Sequence, residues 1–374
     1  MKSDKLGIYI HIPFCIKKCN YCDFCSFPNK LDDIPRYAEE LSRRICEFSK
    51  KYGRYSVDTV YFGGGTPTLM SEKDFSLIIN TLRESFDITA DAEITVECNP
   101  ASIGENGLMA LRLLGINRLS IGLQSADNEE LSLLGRIHTW EDFLQTYYEA
   151  KNVGFDNISV DLMYGIPNQT QKSFEETLKK VIEIEPSHIS AYGLKIEKNT
   201  EFYKNIDLYK FSSADEQAEL YEFCCEYLFK NGYKRYEISN FAKQGYESKH
   251  NLKYWNLDDY VGFGVAAHSC FLGERFGNSN DYNAFLRRED ICNQREKISQ
   301  DERMTEYVML GLRLDRGIAY EEFEECFGLK FFDVYPCAYE FVKMGFMCEC
   351  ERRIAFTTKG FLVSNAILSQ MLDF

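Results

Sequence analysis

Three cysteines near the start of the chain are the residues with the clearest chemical potential. Cys15, Cys19 and Cys22 are separated by three and then two residues, directly after an apolar run at 8–12. A loop leaving a strand at this point can wrap three thiolates around one [4Fe–4S] cluster, which normally takes four. One iron would then be open to a small molecule. Cys25 follows Cys22 after two more residues and fits either a fourth ligand or a bystander.

A zinc site is the alternative use of the same cysteines. Structural zinc sites commonly hold the ion with cysteine pairs about two to four residues apart, the second pair standing roughly a dozen or more residues further on. Here one tight triplet stands with no second pair nearby. The spacing therefore favours the iron–sulfur cluster.

Composition indicates an ordinary globular protein. The 374 residues are 45% hydrophobic and 27% charged, with a net charge of −15 that argues against a general nucleic-acid binder. Neither a signal-peptide pattern nor an apolar run of about 18 residues is present. We therefore expect a cytoplasmic protein whose fourteen cysteines are thiols or metal ligands.

Six β-prone runs alternate with amphipathic helical patterns in the first part of the chain. The runs lie at 8–12, 59–62, 93–97, 118–121, 157–162 and 188–194, and the clearest helical patterns at 35–52, 71–86, 140–153 and 173–184. Such alternation predicts an α/β fold with a parallel sheet. Six units fit a partial (β/α)6 TIM-like barrel better than a closed eight-unit one.

Residues with possible chemistry follow these strands. The glycine run at 63–65 follows the second strand, Glu97 ends the third, Gln124 follows the fourth, and Asp161 lies late in the fifth. Chemistry in parallel α/β folds gathers at the carboxyl ends of strands, so we expect one shared rim. The glycines suit close approach of a ligand or simply a tight turn. The Glu97 carboxylate is suited to accept hydrogen bonds from two ribose hydroxyls. The alternatives are an N-cap for the next helix or a surface charge.

The pattern changes after about residue 211. We predict a partial barrel at 1–211, a connecting region at 212–300 and a C-terminal α+β module at 301–374, with a β-hairpin at 346–355. Helices followed by a hairpin are typical of winged-helix-like modules. This segment has an acidic face, which favours packing or partner binding over DNA binding. The acidic residues are Glu321, Glu322, Glu324 and Glu325.

His250 begins a second notable string, His-Asn-Leu-Lys-Tyr-Trp, at 250–255. A neutral histidine is a good axial heme ligand, and Tyr254 with Trp255 would supply an apolar wall. The alternative is a hydrogen-bonded structural histidine. His268 is a second candidate for the same pocket.

The cysteine spacing, the run from Tyr9 before it and the Cys22-Asp-Phe ending resemble the radical S-adenosylmethionine (SAM) superfamily. Within it they resemble the branch of oxygen-independent coproporphyrinogen III oxidases and their heme-chaperone relatives of the HemW type. The resemblance implies the same partial barrel, a [4Fe–4S] cluster on the cysteine triplet, and SAM, with Tyr9 and Arg136 nearest the chemistry. The SAM-contacting residues that it implies are Tyr9, Tyr21, Gly64, Gly65, Thr66, Glu97, Gln124, Arg136 and Asp161.

The resemblance is compatible with two functions. A zinc-stabilised binding protein is a third possibility, which the residues alone leave open. One is a chaperone that holds heme, through His250, and passes it to apo-hemoproteins. The other is the oxidase, a radical enzyme that would need an electron donor such as flavodoxin or ferredoxin. The oxidase pattern has a cysteine where this chain has Phe24, and a longer arm ahead of the residue matching Tyr9. Both departures favour the chaperone.

Overall fold

The computed structural model describes residues 5–372, and its large sheet is built from the predicted alternation of strands and helices. The strands are β1 (Leu6–Ile12), β2 (Ser56–Gly64), β3 (Asp87–Cys98), β4 (Arg118–Gln124), β5 (Asn157–Tyr164), β6 (His188–Gly193), β7 (Lys234–Glu237), β8 (Asn240–Ala242), β9 (Tyr260–Phe263), β10 (His268–Phe271), β11 (Glu274–Asn278), β12 (Cys292–Lys297), β13 (Ile318–Ala319), β14 (Met347–Cys350) and β15 (Arg353–Phe356). The helices are α1 (Ile34–Tyr52), α2 (Glu72–Ser85), α3 (Glu105–Leu113), α4 (Asn128–Leu133), α5 (Trp140–Asn152), α6 (Gln171–Glu183), α7 (Glu201–Lys204), α8 (Ala214–Lys230), α9 (Lys249–Trp255), α10 (Tyr282–Leu286), α11 (Gln300–Gly311), α12 (Tyr320–Phe327), α13 (Phe331–Val334), α14 (Ala338–Lys343), α15 (Thr358–Leu362) and α16 (Ser364–Met371).

Strands β1 to β6 lie side by side in chain order and are all parallel. This confirms the predicted parallel sheet and its six strand positions. β9 continues the sheet in parallel on the other side of β1, and shorter antiparallel strands extend both edges. The sheet stays open, as a partial barrel requires.

The two faces of this sheet differ in chemistry. On β5, Ile158, Val160 and Leu162 are fully buried in the main hydrophobic core, which also holds the apolar sides of the surrounding helices. Ser159 and Asp161, which alternate with them, project to the opposite face because successive strand side chains point to opposite sides. The concave face is therefore polar, whereas parallel strands covered on both faces are usually apolar throughout.

The predicted helices are confirmed, with ends that differ by at most two residues. Ser71 caps α2 by accepting a hydrogen bond from the Asp74 amide. Thr139 and Thr170 form capping boxes at the starts of α5 and α6. Such caps typically stabilise a helix by about 1 kcal/mol each.

A second hydrophobic core lies mainly in the C-terminal module and includes Tyr221 of α8. Its sheet has the order β13-β15-β14, so the predicted hairpin at 346–355 is present, and a helix, a strand, further helices and the hairpin follow one another as in a winged helix. The module joins the large sheet through backbone hydrogen bonds from Ile238 to Arg313 and from Asp315 to Tyr236, both of 3.0 Å. Strands β7 to β12, within 212–300, pair with the large sheet; the domain boundaries at 211 and 300 stay predictions.

None of the helices described for residues 5–372 combines the length and apolar character needed to cross a membrane.

Candidate cofactor site at the rim of the sheet

The three cysteines lie in the loop that follows β1. Cys15 is buried, and Cys19 and Cys22 are partly exposed. Burial, reinforced by the neighbouring thiols of Cys19 and Cys15, raises the pKa of Cys22 to about 11. Within residues 5–372 no three His, Cys, Asp or Glu side chains converge as around a single metal ion. The three thiolates of a cubane cluster need not converge on one point, because each binds a different iron.

The glycine loop after β2 packs directly against the cysteine loop. The Gly65 amide donates to the Ile12 carbonyl at 2.8 Å, and the Thr66 amide to the Phe14 carbonyl at 2.7 Å. The Thr66 hydroxyl lies 3.7 Å from the Cys15 sulfur, as a donor.

Gly64 and Gly65 are required by this close packing. Gly64 has φ +112°, and a Cβ there would lie 2.5 Å from the His11 ring. A Cβ on Gly65 would lie 2.5 Å from the Phe14 carbonyl oxygen. The glycines therefore serve at least the turn that joins the two loops, and their contact with SAM stays a prediction.

Arg136 connects three parts of the rim. Its guanidinium donates to Asn99 Oδ1 at 2.9 Å and to the Gly122 carbonyl at 2.7 Å, and approaches the Cys19 sulfur at 3.6 Å. The Arg136 Nε is buried and has no hydrogen-bond partner among the described residues. A cation that touches a cysteine sulfur suits a thiolate ligand, so these residues fit a cluster with an anionic group beside it.

Glu97 is the penultimate residue of β3 and faces the glycine loop. Its Oε2 accepts from the Gly64 amide and its Oε1 from the Tyr61 hydroxyl, both at 2.9 Å. Burial raises the pKa of Glu97 to about 7. Both contacts hold the carboxylate against the glycine loop, so neither the N-cap nor the surface-charge alternative describes it.

The remaining predicted SAM contacts differ in their settings. Tyr21 lies beside Arg136 and Cys19, and burial raises its pKa. Gln124 has φ +75°, and its amide folds back over Gly122. Asp161 lies deeper, where its carboxylate accepts hydrogen bonds from Ser120, Ser159 and Ser190 at 2.7–3.1 Å.

Tyr9 occupies the concave face of β1 next to the cysteine loop. Its hydroxyl lies 2.9 Å from His11 Nδ1, and His11 Nε2 lies 2.9 Å from the Cys25 carbonyl. Burial keeps the pKa of Tyr9 well above its ordinary value. This chain of contacts fixes the backbone of Cys25, the fourth cysteine.

His250 has a different setting from the one expected of an exposed heme ligand. It is 1% exposed, on α9, which packs against β2 and donates its Lys249 and His250 amides to Glu93 on β3. Its Nδ1 lies 2.9 Å from the Thr59 hydroxyl and its Nε2 2.8 Å from the Tyr254 hydroxyl. Burial lowers the pKa of His250 to about 3. Both nitrogens are therefore engaged in the described conformation, and ligation of heme by His250 stays a prediction.

Two residues at the rim were not singled out from the sequence. Asn99 joins Thr66 to Arg136, donating to the Thr66 hydroxyl at 2.7 Å. His11 joins Tyr9 to Cys25. Side chains two residues apart on a strand point to the same face, so the alternation of β1 could have predicted that His11 lies beside Tyr9. Asn99, in a loop, offers no such periodic signal.

Comparison with known proteins agrees with this geometry. Residues 9–181 match the model of the radical SAM superfamily, and residues 298–363 match that of the HemN C-terminal domain. The chain is 32% identical to the heme chaperone HemW of Bacillus subtilis, over 97% of this chain and 98% of the relative. It is also 32% identical to the heme chaperone HemW of Escherichia coli, over 100% and 99%.

A solved structure extends the likeness to three dimensions. Coproporphyrinogen III oxidase (HemN) from Escherichia coli, described as a radical SAM enzyme, matches with a TM-score of 0.86 and 26% identity, over 99% of this chain and 90% of that one. The cysteine loop, the glycine loop and the Glu97 strand end are thus set in a shared architecture. With full-length identity above the level at which relatives share a family, the chain belongs to the radical SAM superfamily and, within it, to the family of the heme chaperone HemW.

Proposed function

We propose that this protein is a heme chaperone that binds a [4Fe–4S] cluster and SAM and delivers heme to apo-hemoproteins. The observation that carries the proposal is the 32% identity to heme chaperones along almost the whole of both chains. No disulfide joins the fourteen cysteines, all of which lie within residues 5–372, and this suits a reducing compartment. We therefore propose the cytoplasm as its location.

In this proposal, different residues at the rim bind the cluster and SAM. Cys15, Cys19 and Cys22 hold the cluster, and Thr66 and Arg136 direct hydrogen bonds at two of the three sulfurs. The planar fork of Arg136 is suited to the SAM carboxylate.

The other proposed SAM contacts surround this fork. Glu97 would accept hydrogen bonds from the ribose hydroxyls, and Gly64, Gly65 and Thr66 would contact the methionyl amino group. Tyr9, Tyr21, Gln124 and Asp161 complete the proposed set. When bound, a reduced cluster supplies the electron that cleaves SAM, and a flavodoxin- or ferredoxin-like donor would deliver that electron.

Coproporphyrinogen III oxidation is the second candidate, because the fold matches that oxidase with a TM-score of 0.86. Phe24, exposed at the edge of the cysteine loop, stands against it, because the oxidase pattern has a cysteine there. Radical chemistry on a propionate requires reacting atoms about 3–3.5 Å apart, and small displacements cost about 100-fold in rate.

A paired experiment separates the two functions. Anaerobically purified, cluster-loaded protein is given ferric heme and then apomyoglobin as a probe acceptor, with heme transfer followed by absorbance. In parallel, the same preparation with SAM and a reductant is incubated with coproporphyrinogen III. We expect heme transfer and no protoporphyrinogen IX. Product formation over several turnovers would establish the oxidase instead.

A further inference from the structure

A cavity of about 650 Å³ opens beside the cysteine loop and is not used by the proposed cluster or SAM contacts other than Tyr9. It lies between the carboxyl half of β1, the end of the cysteine loop and strand β10. None of Cys15, Cys19 and Cys22 lines it, whereas Cys25 does. Its volume falls within the range of about 300–1,000 Å³ typical of small-molecule sites.

Aromatic side chains form most of the apolar wall of this cavity. They are Tyr9, Phe24, Phe27, Tyr254 and Tyr260. Phe24 is 69% exposed, an unusual state for a phenylalanine beside a concave surface, and binding of a flat apolar ligand would cover it. Tyr254 packs edge-on against Tyr260 with ring centroids 4.6 Å apart, so this side of the wall is held in place.

Two histidines line the cavity, and only one is available to a ligand. His11 is engaged at both ring nitrogens, by Tyr9 and by the Cys25 carbonyl. His268, on β10, is exposed, and among residues 5–372 neither of its ring nitrogens takes part in a hydrogen bond. Its partner across the hairpin is Gly277, where a Cβ would come within 2.8 Å of the His268 ring. The glycine therefore leaves space for the imidazole.

His250 affects the same cavity indirectly, through a residue that lines it. It does not line the cavity, but its Nε2 lies 2.8 Å from the hydroxyl of Tyr254, one helical turn later on α9. Tyr254 does line the cavity. Of the string at 250–255, the tyrosine therefore faces the ligand space and the histidine fixes the tyrosine.

We infer that heme binds in this cavity with His268 as an axial ligand to its iron, and that His250 is a positioning residue acting through Tyr254. The inference rests on the proposed function and names the binding site for its cargo. The His268 imidazole donates a nitrogen lone pair to the ferric iron, and the iron keeps its oxidation state. Phe24 and Tyr254 supply apolar contact with the porphyrin. Lys18, also at the cavity, supplies a cation for a propionate.

The test uses cluster-loaded protein titrated anaerobically with ferric heme, with the Soret maximum and the electron paramagnetic resonance spectrum recorded for each variant. We expect His268→Ala to weaken heme binding by roughly 10- to 100-fold, and His268→Met to restore binding with an altered ligand spectrum. His250→Gln should weaken binding while leaving the ligand spectrum of wild type unchanged. Leu272→Ala, at the exposed turn of the same hairpin, is the matched control and should behave as wild type.

The outcomes distinguish this inference from the proposed function. Wild-type protein that binds no heme would refute the proposed function itself. Heme binding by wild type with an unchanged ligand spectrum in both His268 variants would overturn the His268 assignment alone. A thiolate-ligand spectrum that disappears in Cys25→Ser would overturn the His268 assignment in favour of the Cys25 sulfur. A changed ligand spectrum in His250→Gln would return the axial role to that histidine.

Discussion

At the scale of single residues, the cysteine loop distinguishes its four cysteines by their surroundings. Cys15 and Cys19 each have a donor directed at the sulfur, from Thr66 and Arg136. The Cys25 backbone is instead held by His11, and Cys25 lines the neighbouring cavity. The spacing left both roles of Cys25 open, and these surroundings distinguish it from Cys15 and Cys19.

Cys25 is therefore expected to be dispensable for the cluster. We predict that serine at Cys15, Cys19 or Cys22 abolishes cluster binding, because each thiolate holds one corner of the cubane. Cys25→Ser should keep most of it. Iron and sulfide content per chain after anaerobic reconstitution measures this directly. A loss of iron in Cys25→Ser as large as in the other three would refute the three-ligand site.

Arg136 offers a second test at this scale. We predict that Arg136→Ala weakens SAM binding by about 1.5–3 kcal/mol, the range for hydrogen bonds to charged groups. Arg136→Lys should recover part of the loss, because lysine keeps the charge but not the fork. Calorimetry on cluster-loaded protein gives both values, with Arg112→Ala on the exposed face of α3 as the control. Unchanged affinity in Arg136→Ala, with its cluster intact, would remove this arginine from the site.

At the scale of elements, the sequence was most informative where the pattern is local and repeated. The six parallel strands and the helices between them follow from alternating periodicity, and the structure has them at the predicted positions. Strands β9 to β12 were not predicted, because they are short, lie among glycines and aromatic residues, and take their form from pairing with β1 and one another. Such pairing is non-local and leaves little periodic trace.

The candidate site shows the same limit. The motifs at the strand ends predicted a shared rim, and Thr66, Glu97 and Arg136 do meet the cysteine loop there. The hydroxyl groups around Asp161 and the Thr59 partner of His250 come from strands that are distant in the sequence. No spacing rule in the sequence predicts which side chains meet across the concave face.

Glu237 is the last residue of β7 and lies at the junction with the C-terminal module. It is 1% exposed, one of its oxygens lacks a partner among the described residues, and burial raises its pKa to about 7. Between the unfolded value of about 4.5 and pH 7, the folded chain holds a proton that the unfolded chain releases. The free energy of unfolding therefore falls as pH rises through this window.

We predict that Glu237→Gln removes this dependence. At pH 8 the variant should be more stable than wild type, by at most about 3 kcal/mol, and near pH 4.5 the two should be similar. Urea denaturation at several pH values measures the difference, with Glu324→Gln on the exposed face of α12 as the control. A stability difference that does not change with pH would show that Glu237 is not protonated in the folded state.

At the scale of the whole molecule, the two larger hydrophobic cores meet at Tyr164 and Cys225, which pack against both. The barrel core holds the apolar side of the large sheet, and the C-terminal core surrounds Phe323. Between them lie the backbone bonds around Ile238 and Asp315 and the ion pair of Arg235 with Asp315 at 2.8 Å. The candidate cofactor site belongs entirely to the barrel. Its integrity should therefore depend on the first core more than on the second.

Phe323→Ala tests this independence. Phe323 is fully buried, and its ring lies 5.0 Å from that of Phe327 and 5.4 Å from that of Phe331, so we predict a loss of about 3–5 kcal/mol from the C-terminal core. At low denaturant the variant should keep its cluster absorbance while proteolysis within 298–363 accelerates. Phe174→Ala, equally buried in the barrel core, should instead lose cluster absorbance first. If Phe323→Ala lost its cluster and its C-terminal protection at the same urea concentration, the two cores would form a single cooperative unit.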